Sequence, residues 1–264
     1  MITKDMFLKA SKTMMEIAKS PHILIAGTTG SGKSVALNNL LYTLLLTQGN
    51  SSQFIFIDTK RVELKQYRAL PTSLRYVSEP EEVSALLQGI IAVMDERYEL
   101  MERKETTEPH MYVVIDELAD LIDETNVLKQ LVKIGRLGRA AHIHLLACTQ
   151  DPSRKTLSAQ LMQNFTARLA LRCKDNIESR QVLGITGAER LPKHGFGILS
   201  DADGERKIKI TLTPDEYIDE AVITCQMMDR FADGAYTLED IYEQGIKYSS
   251  DDEGYLTVSM ALGD

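Results

Sequence analysis

The chain has 264 residues, of which 44% are hydrophobic and 26% are charged, and its formal net charge is −8 at pH 7. This balance is ordinary for a soluble globular protein that buries one good core. No apolar run approaches the roughly 20 residues that span a bilayer, and the start of the chain lacks a signal-peptide pattern, so we expect a cytoplasmic protein. Its three isolated cysteines indicate neither a disulfide framework nor a cysteine metal site.

The first predicted elements are an amphipathic helix over residues 4–19 and a buried strand at residues 23–26. The helix places Phe7, Met14 and Ile17 on its apolar face, and Pro21 marks its end. A second helix is expected from Val35 onward, because the apolar residues that follow are those of a helix packed on a sheet.

Between that strand and that helix, residues 27–34 match the pattern GxxxxGK[ST] of a phosphate-binding loop. Its glycines let the chain adopt conformations that a side chain would block, so that backbone N–H groups converge on a β-phosphate at a helix N-terminus. Lys33 is expected to reach the β- and γ-phosphates, and the Ser34 hydroxyl to ligate Mg²⁺. The alternative is a glycine-rich turn without a ligand, but such a turn rarely needs both the lysine and the serine. The predicted ATP-binding residues are Gly27, Thr28, Thr29, Gly30, Ser31, Gly32, Lys33, Ser34 and Val35.

Two more predicted strands end in residues suited to hydrolysis. The strand at residues 111–115 ends in Asp116 and Glu117, which are expected to hold Mg²⁺ and to polarise the attacking water. An Asp-Glu pair can also cap a helix. The strand at residues 143–148 ends near Gln150, whose amide could sense the γ-phosphate or orient water. Because the carboxyl ends of parallel strands line one crevice, these side chains are predicted to converge with the phosphate loop.

The remaining elements continue an alternation of strands and helices, which predicts a layered α/β fold. Helices are expected over residues 80–103 and 124–140, and a hairpin turn over residues 201–204. The other predicted strands lie at residues 54–57, 167–171, 196–199 and 207–212.

Seven sequence blocks resemble the motor domain of the FtsK/SpoIIIE family and follow one another in the family's order. They lie at residues 22–34, 58–60, 95–101, 113–121, 139–145, 147–150 and 178–180. The resemblance spans roughly residues 18 to 212, and colinear blocks are more specific than any one motif. It implies a RecA-like P-loop ATPase with a mostly parallel sheet flanked by helices. It also implies a homo-oligomeric, hexameric ring that uses ATP and Mg²⁺ and pumps double-stranded DNA.

When the family's functional residues are carried over one by one, the resemblance implies which side chains of a single subunit act on its nucleotide. They are Lys33, Ser34, Asp116, Glu117 and Gln150. Arg139 resembles the family's arginine finger, which would reach the γ-phosphate of a neighbouring subunit. Without the family, Arg139 is a solvated arginine at the end of a helix. The chain departs from the family at Thr59, where proline is usual, and at Asp151, where arginine is usual. Residues 102–110 replace a longer connection.

The charge is unevenly distributed along the chain. Residues 213–264 contain 13 acidic and two basic residues, whereas residues 129–174 hold nine Lys or Arg and one acidic residue, Asp151. The basic segment could line a ring lumen or be a solvated face. We therefore divide the chain into a motor domain, residues 1–212, and a short acidic helical extension, residues 213–264. Two helices separated near Gly234 are expected between Pro214 and Lys247, and no separate winged-helix domain is recognised.

Three functions remain open at this point. The first is a DNA-stimulated, Mg²⁺-dependent ATPase that hydrolyses ATP at subunit interfaces and moves along duplex DNA. The second is a related motor of type VII protein secretion, and the third is a regulatory module that only holds nucleotide. An intact Glu117 and Gln150 argue against the third.

Overall fold

The computed structural model describes residues 12–48, 51–103, 109–122, 125–153, 156–210, 212–232, 246–250 and 256–260. Eight strands form the main sheet: β1 His22–Ala26, β2 Ser52–Ile57, β3 Ser73–Val77, β4 His110–Ile115, β5 Ile143–Thr149, β6 Ala167–Ala170, β7 Phe196–Asp201 and β8 Gly204–Lys209. The described helices are α1 at residues 12–18, α2 Lys33–Gln48, α3 Pro80–Glu102, α4 Thr125–Leu137, α5 Ala159–Met162, α6 Asn176–Leu183 and α7 Asp215–Ala232.

The sheet has the strand order β3-β2-β4-β5-β1-β6-β7-β8. The pairs from β3 through β6 are parallel, and β7 and β8 add an antiparallel edge. The predicted α/β class with a mostly parallel sheet is therefore confirmed. Since β1, β2, β4 and β5 are parallel neighbours, their carboxyl ends lie along one edge of the sheet, where α/β proteins bind ligands.

Helices cover both faces of the sheet, and the strands alternate between them. In β1, Leu24 belongs to the hydrophobic cluster that includes residues of α3 and α4, whereas Ile23 and Ile25 belong to the cluster of α2 and α7. Met14 and Ile17 of α1 are buried in this second cluster, as their spacing predicts. Residues 4–11 of the predicted first helix lie outside the described residues.

The short strand β3 is not anticipated from the sequence. Its burial is uneven, with Leu74 and Arg75 exposed at the edge of the sheet, so it lacks the continuous apolar run that marks the inner strands. The predicted strand at residues 207–212 is placed too late: β8 spans Gly204–Lys209 and begins at Gly204, whose φ of +95° completes the predicted hairpin turn.

The helix predicted over residues 124–140 ends earlier, at Leu137. At Gly138 the chain passes so close to its neighbours that a Cβ would lie 2.6 Å from the Ile134 carbonyl oxygen and 2.7 Å from that of Ile143. Arg139 therefore lies in the turn before β5 and not on a helix.

The extension begins with a helix, as predicted, but does not continue as helix to Lys247. Strands β9 Ile246–Ser250 and β10 Leu256–Met260 form a separate antiparallel pair, and β9 contains Lys247. The region around Gly234 and the acidic residues 251–253 lie outside the described residues. Helix α7 contributes Ile218 and Val222 to the cluster around α2, while the domain boundary at residue 212 stays a prediction. None of the helices in the described ranges is both long and apolar enough to cross a bilayer.

Candidate active site

The phosphate loop joins the end of β1 to the first turn of α2. Gly30 and Gly32 have φ angles of +74° and +99°, which L side chains rarely adopt, so the backbone itself requires glycine there. Gly27 is required for a different reason. A Cβ at this buried position would lie 2.7 Å from Ser31 Oγ and 2.8 Å from Leu171 Cβ, so close packing excludes a side chain.

The loop is fastened to both strands that flank β1. The amide of Gly27 donates to the Thr149 carbonyl of β5 at 3.2 Å. Thr28 donates twice to the Arg172 carbonyl beyond β6, from its amide at 3.0 Å and its hydroxyl at 3.1 Å. The Ser31 hydroxyl is buried without a partner among the described residues. The loop is therefore already shaped as a cradle by contacts that do not involve a ligand.

Lys33, the first residue of α2, extends across to the end of β4. Its ammonium donates to the Asp116 carbonyl at 3.1 Å and lies 3.7 Å from Asp116 Oδ1 and 3.6 Å from Glu117 Oε2. Burial acts to lower the pKa of Lys33, but the surrounding groups, among them the carboxylates of Asp116 and Glu117, outweigh it, so the pKa is raised. The side chain is therefore a buried, firmly charged ammonium at the mouth of the loop.

Asp116 is only 1% exposed, and burial raises its pKa to about 6 in spite of the nearby Lys33 ammonium. Its Oδ2 atom is buried without a hydrogen-bond partner among the described residues. Such an oxygen fits a cation that would replace the missing partner, and Mg²⁺ prefers oxygen ligands of this kind. Ser34, half-buried in the first turn of α2, is the other predicted ligand.

The described residues contain no group of three His, Cys, Asp or Glu side chains that could hold a metal by themselves. Mg²⁺ needs no such group, because it usually keeps several waters and binds through one or two protein oxygens plus substrate phosphates. The residues present therefore fit a magnesium ion bound together with a nucleotide.

Glu117 and Gln150 are joined directly. The Gln150 amide nitrogen of the backbone donates to both carboxylate oxygens of Glu117, at 3.0 and 3.1 Å. The side-chain oxygen of Gln150 accepts a hydrogen bond from the Thr29 hydroxyl at 2.7 Å. The structure thus brings together the loop after β1, the end of β4 and the end of β5, as the sequence predicts.

The end of a fourth strand, β2, also borders the site. The sequence interpretation assigned it no role. Lys60, three residues beyond β2, places its ammonium 3.4 Å from Glu117 Oε2. The preceding Asp58 is fully buried and accepts hydrogen bonds from the Leu64 amide at 3.0 Å and the Tyr76 hydroxyl at 2.8 Å. The available signal was Asp58, a charged residue directly after a buried strand like Asp116, but this signal does not single out Lys60.

Arg139 does not lie in this site. It is exposed in the turn that precedes β5, whereas Gln150 follows the same strand. The seven residues of β5 put the two about 20 Å apart along the strand. Arg139 is therefore at the opposite edge of the sheet from the phosphate loop of its own chain, and its role as an arginine finger stays a prediction.

The two departures from the family pattern have local partners. The Thr59 hydroxyl donates to Asp120 Oδ2 at 2.6 Å, which ties the loop after β2 to the turn after Glu117. Asp151 accepts from the Ser153 amide at 3.2 Å and from the Thr156 hydroxyl at 3.3 Å, and so shapes the loop after β5.

The basic residues of the segment 129–174 do not form one stripe. Lys133 pairs with Asp95 at 3.2 Å, and Arg139 lies at the amino edge of the sheet. Arg172 and Lys174 follow β6 at the carboxyl edge, and residues 154 and 155 lie outside the described residues. The described part of the chain therefore presents basic side chains at both edges of the sheet.

Comparisons of the sequence and the fold with known proteins agree with the phosphate loop and the Asp-Glu strand described above. A model of the FtsK/SpoIIIE family matches residues 3–195. The DNA translocase FtsK of Chlorobaculum tepidum is 36% identical over 213 residues, which cover 71% of this chain and 26% of that protein. The DNA translocase FtsK of Lactiplantibacillus plantarum is 34% identical over 206 residues, covering 68% and 26%. This chain spans about a quarter of the length of these relatives.

Solved structures with the same fold include a conjugation coupling protein and a secretion ATPase. The pCW3 conjugation coupling protein TcpA, in its monomer form with ATPγS, has a TM-score of 0.71 and 26% identity over 80% of this chain and 66% of that chain. The cytoplasmic domain of the type VII secretion ATPase EccC of Thermomonospora curvata has a TM-score of 0.67 and 27% identity over 78% and 28%. With its phosphate loop, its Asp-Glu strand and a family match over most of its length, this chain belongs to the FtsK/SpoIIIE family of P-loop ATPases.

Proposed function

We propose that this chain is the motor part of an ATP-dependent translocase of double-stranded DNA and hydrolyses ATP in the site described above. The observation that carries the proposal is the continuous set of contacts that links Thr29, Lys33, Glu117 and Gln150 across three strand ends. A protein that only holds nucleotide needs the loop and the lysine. It does not need a buried carboxylate oriented by the neighbouring strand, so the regulatory alternative is disfavoured.

In this proposal the loop backbone and Lys33 bind the phosphates of ATP, and the Lys33 ammonium leaves its carboxylate partners to reach the β- and γ-phosphates. Glu117, whose carboxylate is held in place by the backbone amide of Gln150, orients and polarises the attacking water. The Gln150 side chain, bonded to Thr29 of the loop, is placed to register the γ-phosphate. Thr28, Ser31 and Val35 complete the cradle.

Asp116 and Ser34 would hold Mg²⁺, and the orphaned Asp116 Oδ2 is the observation that supports this assignment. Bound Mg²⁺ would neutralise charge on the phosphate oxygens during phosphoryl transfer. Because burial raises the pKa of Asp116 without a ligand, a proton competes with the cation below about pH 6, and Mg²⁺ binding should weaken there.

The position of Arg139 supports assembly. An arginine at the far edge of the sheet cannot serve the nucleotide of its own chain, but it can serve that of a neighbour in a ring. We therefore propose a homo-oligomeric, hexameric ring in which ATP is hydrolysed at subunit interfaces, with Arg139 stabilising charge in trans. We also propose that the motor works in the cytoplasm, where ATP and DNA are available.

Duplex DNA is the proposed cargo because the curated relatives at 32 to 36% identity are named DNA translocases. The secretion ATPase EccC is a structural neighbour at lower identity, 27%. Residues 1–212 would form the motor and residues 213–264 an acidic extension. The acidic extension accounts for the net negative charge, so the motor itself keeps a small positive charge that suits a polyanion.

Displacement of a labelled third strand from a linear DNA triplex tests translocation directly. With ATP and Mg²⁺, the protein is expected to strip the third strand, and the rate should fall steeply between about 50 and 200 mM salt because phosphate contacts release counterions. The matched control is Glu117→Gln, which should bind ATP and leave the triplex intact. ATP turnover without any displacement would favour another cargo, and no turnover would contradict the proposal.

A further inference from the structure

We propose that Lys60 is a positioning residue for hydrolysis, which holds the carboxylate of Glu117 in place once Lys33 has moved to the phosphates. This inference rests on the proposed ATPase function. It assigns a role to the end of β2, the fourth strand that borders the site.

Two ammonium groups compete for one carboxylate oxygen. Lys33 Nζ lies 3.6 Å and Lys60 Nζ lies 3.4 Å from Glu117 Oε2. Lys33 is 7% exposed and Glu117 is 3% exposed, whereas Lys60 reaches them from solvent with 43% of its side chain exposed. Glu117 is thus neutralised from inside by the phosphate-loop lysine and from outside by Lys60.

The inner lysine cannot keep this contact when a nucleotide binds. A phosphate-loop lysine pairs with the β- and γ-phosphates, so its ammonium is no longer shared with the buried carboxylates. A buried carboxylate that loses its only cation pays a high desolvation cost and tends to move or take up a proton. Among the described residues, Lys60 is the remaining cation in contact with Glu117.

The loop that carries Lys60 is built to hold a side chain in place. Asp58, fully buried at its start, accepts from the Leu64 amide and the Tyr76 hydroxyl. The Thr59 hydroxyl donates to Asp120 at 2.6 Å, which couples the loop to the turn directly after Glu117. Arg61 adopts a φ of +57° and forms an ion pair with Glu79. A non-glycine residue in this conformation costs free energy, which the surrounding contacts must offset.

The Gln150 amide fixes one side of the Glu117 carboxylate and Lys60 fixes Oε2 from the other. Without Lys60, the carboxylate would keep the backbone N–H donors of Gln150 and Ala119 but would lose the cation beside Oε2, so its orientation towards the attacking water would be less fixed. Since this contact matters only after ATP is bound, its loss lowers kcat and leaves KM for ATP nearly unchanged.

The test compares Lys60→Met and Lys60→Arg in steady-state ATP hydrolysis. Lys60→Met is expected to lower kcat about tenfold, the scale of a misplaced catalytic group, with KM within about twofold of wild type. Lys60→Arg, which keeps a cation at this position, should restore at least half of the activity. Lys65→Met, a nearby exposed lysine in the same connection, is the matched control and should behave as wild type.

A double-variant comparison separates positioning from a general structural effect. In the Glu117→Gln background, Lys60→Met should not lower the residual turnover further, because its target carboxylate is gone. Without nucleotide, Lys33 still neutralises Glu117 and the Lys60 side chain is largely solvated, so the melting temperature of each variant measured without nucleotide should stay close to that of its parent.

The inference is overturned if kcat of Lys60→Met stays within about twofold of wild type, if Lys60→Arg is as slow as Lys60→Met, or if the same fold loss appears in the Glu117→Gln background. If the wild-type protein itself hydrolyses no ATP, the proposed function fails. An active wild type with an unaffected Lys60→Met contradicts only the role of Lys60.

Discussion

Asp116 carries the main electrostatic cost of the site at the scale of single residues. Burial raises its pKa to about 6, well above the ordinary value of 3.8, and its Oδ2 has no partner among the described residues. Because the folded state holds the proton more tightly than the unfolded chain, this residue costs no stability below pH 3.8. The cost develops as the pH rises towards 6 and is fully present above it. The proposed role in metal binding therefore accounts for a buried carboxylate that lowers the stability of the fold.

Replacing Asp116 by asparagine should separate these two effects. At pH 7.5 without nucleotide, Asp116→Asn is expected to raise the free energy of unfolding by about 1 to 3 kcal/mol, because the buried charge is removed. ATP turnover with Mg²⁺ should fall at least about a hundredfold. Urea denaturation and steady-state kinetics measure the two. A matched Asp203→Asn variant at an exposed hairpin should change neither, and a destabilised but active Asp116→Asn would contradict this account.

The phosphate loop was predictable from sequence at the level of single residues, since each position of the motif has a defined chemical task. The sequence assigns no role to Lys60, although residues 58–60 resemble the family, because a lysine in a loop gives no sign of which carboxylate it will contact. Only the pairing of β2 with β4 places it beside Glu117. The packing that requires glycine at position 27 is likewise invisible in the sequence, because Leu171, which a side chain there would meet, is distant along the chain.

At the scale of elements, the inner strands were predictable because they are continuous apolar runs, and the edges were not. Strand β3 is half exposed and short, and the end of α4 is decided by the close approach of Gly138 to β5. The block at residues 95–101 proves to be architectural in the described structure. Arg97 donates to the carbonyls of Pro109 and Ala141, both at 2.9 Å, and so fastens α3 to the starts of β4 and β5.

A cluster of imidazoles occupies the amino edge of the sheet, away from the nucleotide site. His110 Nδ1 and His144 Nε2 are 2.7 Å apart, and the rings of His110 and His142 stack with centroids 4.7 Å apart. His22, in the neighbouring β1, accepts a hydrogen bond from the Leu145 amide at Nδ1. Burial lowers the pKa of His22 and that of His144 to about 4 each, and the charges of neighbouring histidines and arginines add to this effect.

This cluster should make the fold sensitive to mild acid. The unfolded chain takes up protons near pH 6.5, whereas the folded chain resists until about pH 4, so the free energy of unfolding falls as the pH drops between these values. Urea denaturation from pH 7.5 to 4.5 measures the slope. His22→Asn, which keeps an acceptor near the position of Nδ1, should give a shallower slope, and exposed His194→Gln should not. An unchanged slope in His22→Asn would count against this explanation.

At the scale of the whole molecule, the two edges of the sheet have different tasks in the proposed ring. The carboxyl edge carries the phosphate loop, and the amino edge carries Arg139. If each edge serves a different subunit, a site is complete only when two chains meet. Mixing variants tests this arrangement without a structure of the assembly.

Arg139→Ala alone is expected to bind ATP but lose about a thousandfold in kcat, as arginine fingers do. Lys33→Ala alone should be inactive because it cannot hold the phosphates. A mixture of the two should recover part of the activity, since an intact Lys33 can then meet an intact Arg139 of its neighbour. The control mixture of Arg139→Ala with the double variant should stay inactive. No recovery in the first mixture would contradict hydrolysis at subunit interfaces.

We propose that this site hydrolyses ATP and serves a DNA motor. The rate of ATP hydrolysis with Mg²⁺, measured at low salt with and without duplex DNA, checks both parts of this proposal in one experiment. We expect DNA to raise turnover severalfold, about 200 mM salt to abolish most of this gain, and Glu117→Gln to keep only a small residual turnover that DNA does not raise. Equal turnover with and without duplex DNA at low salt would contradict the proposal.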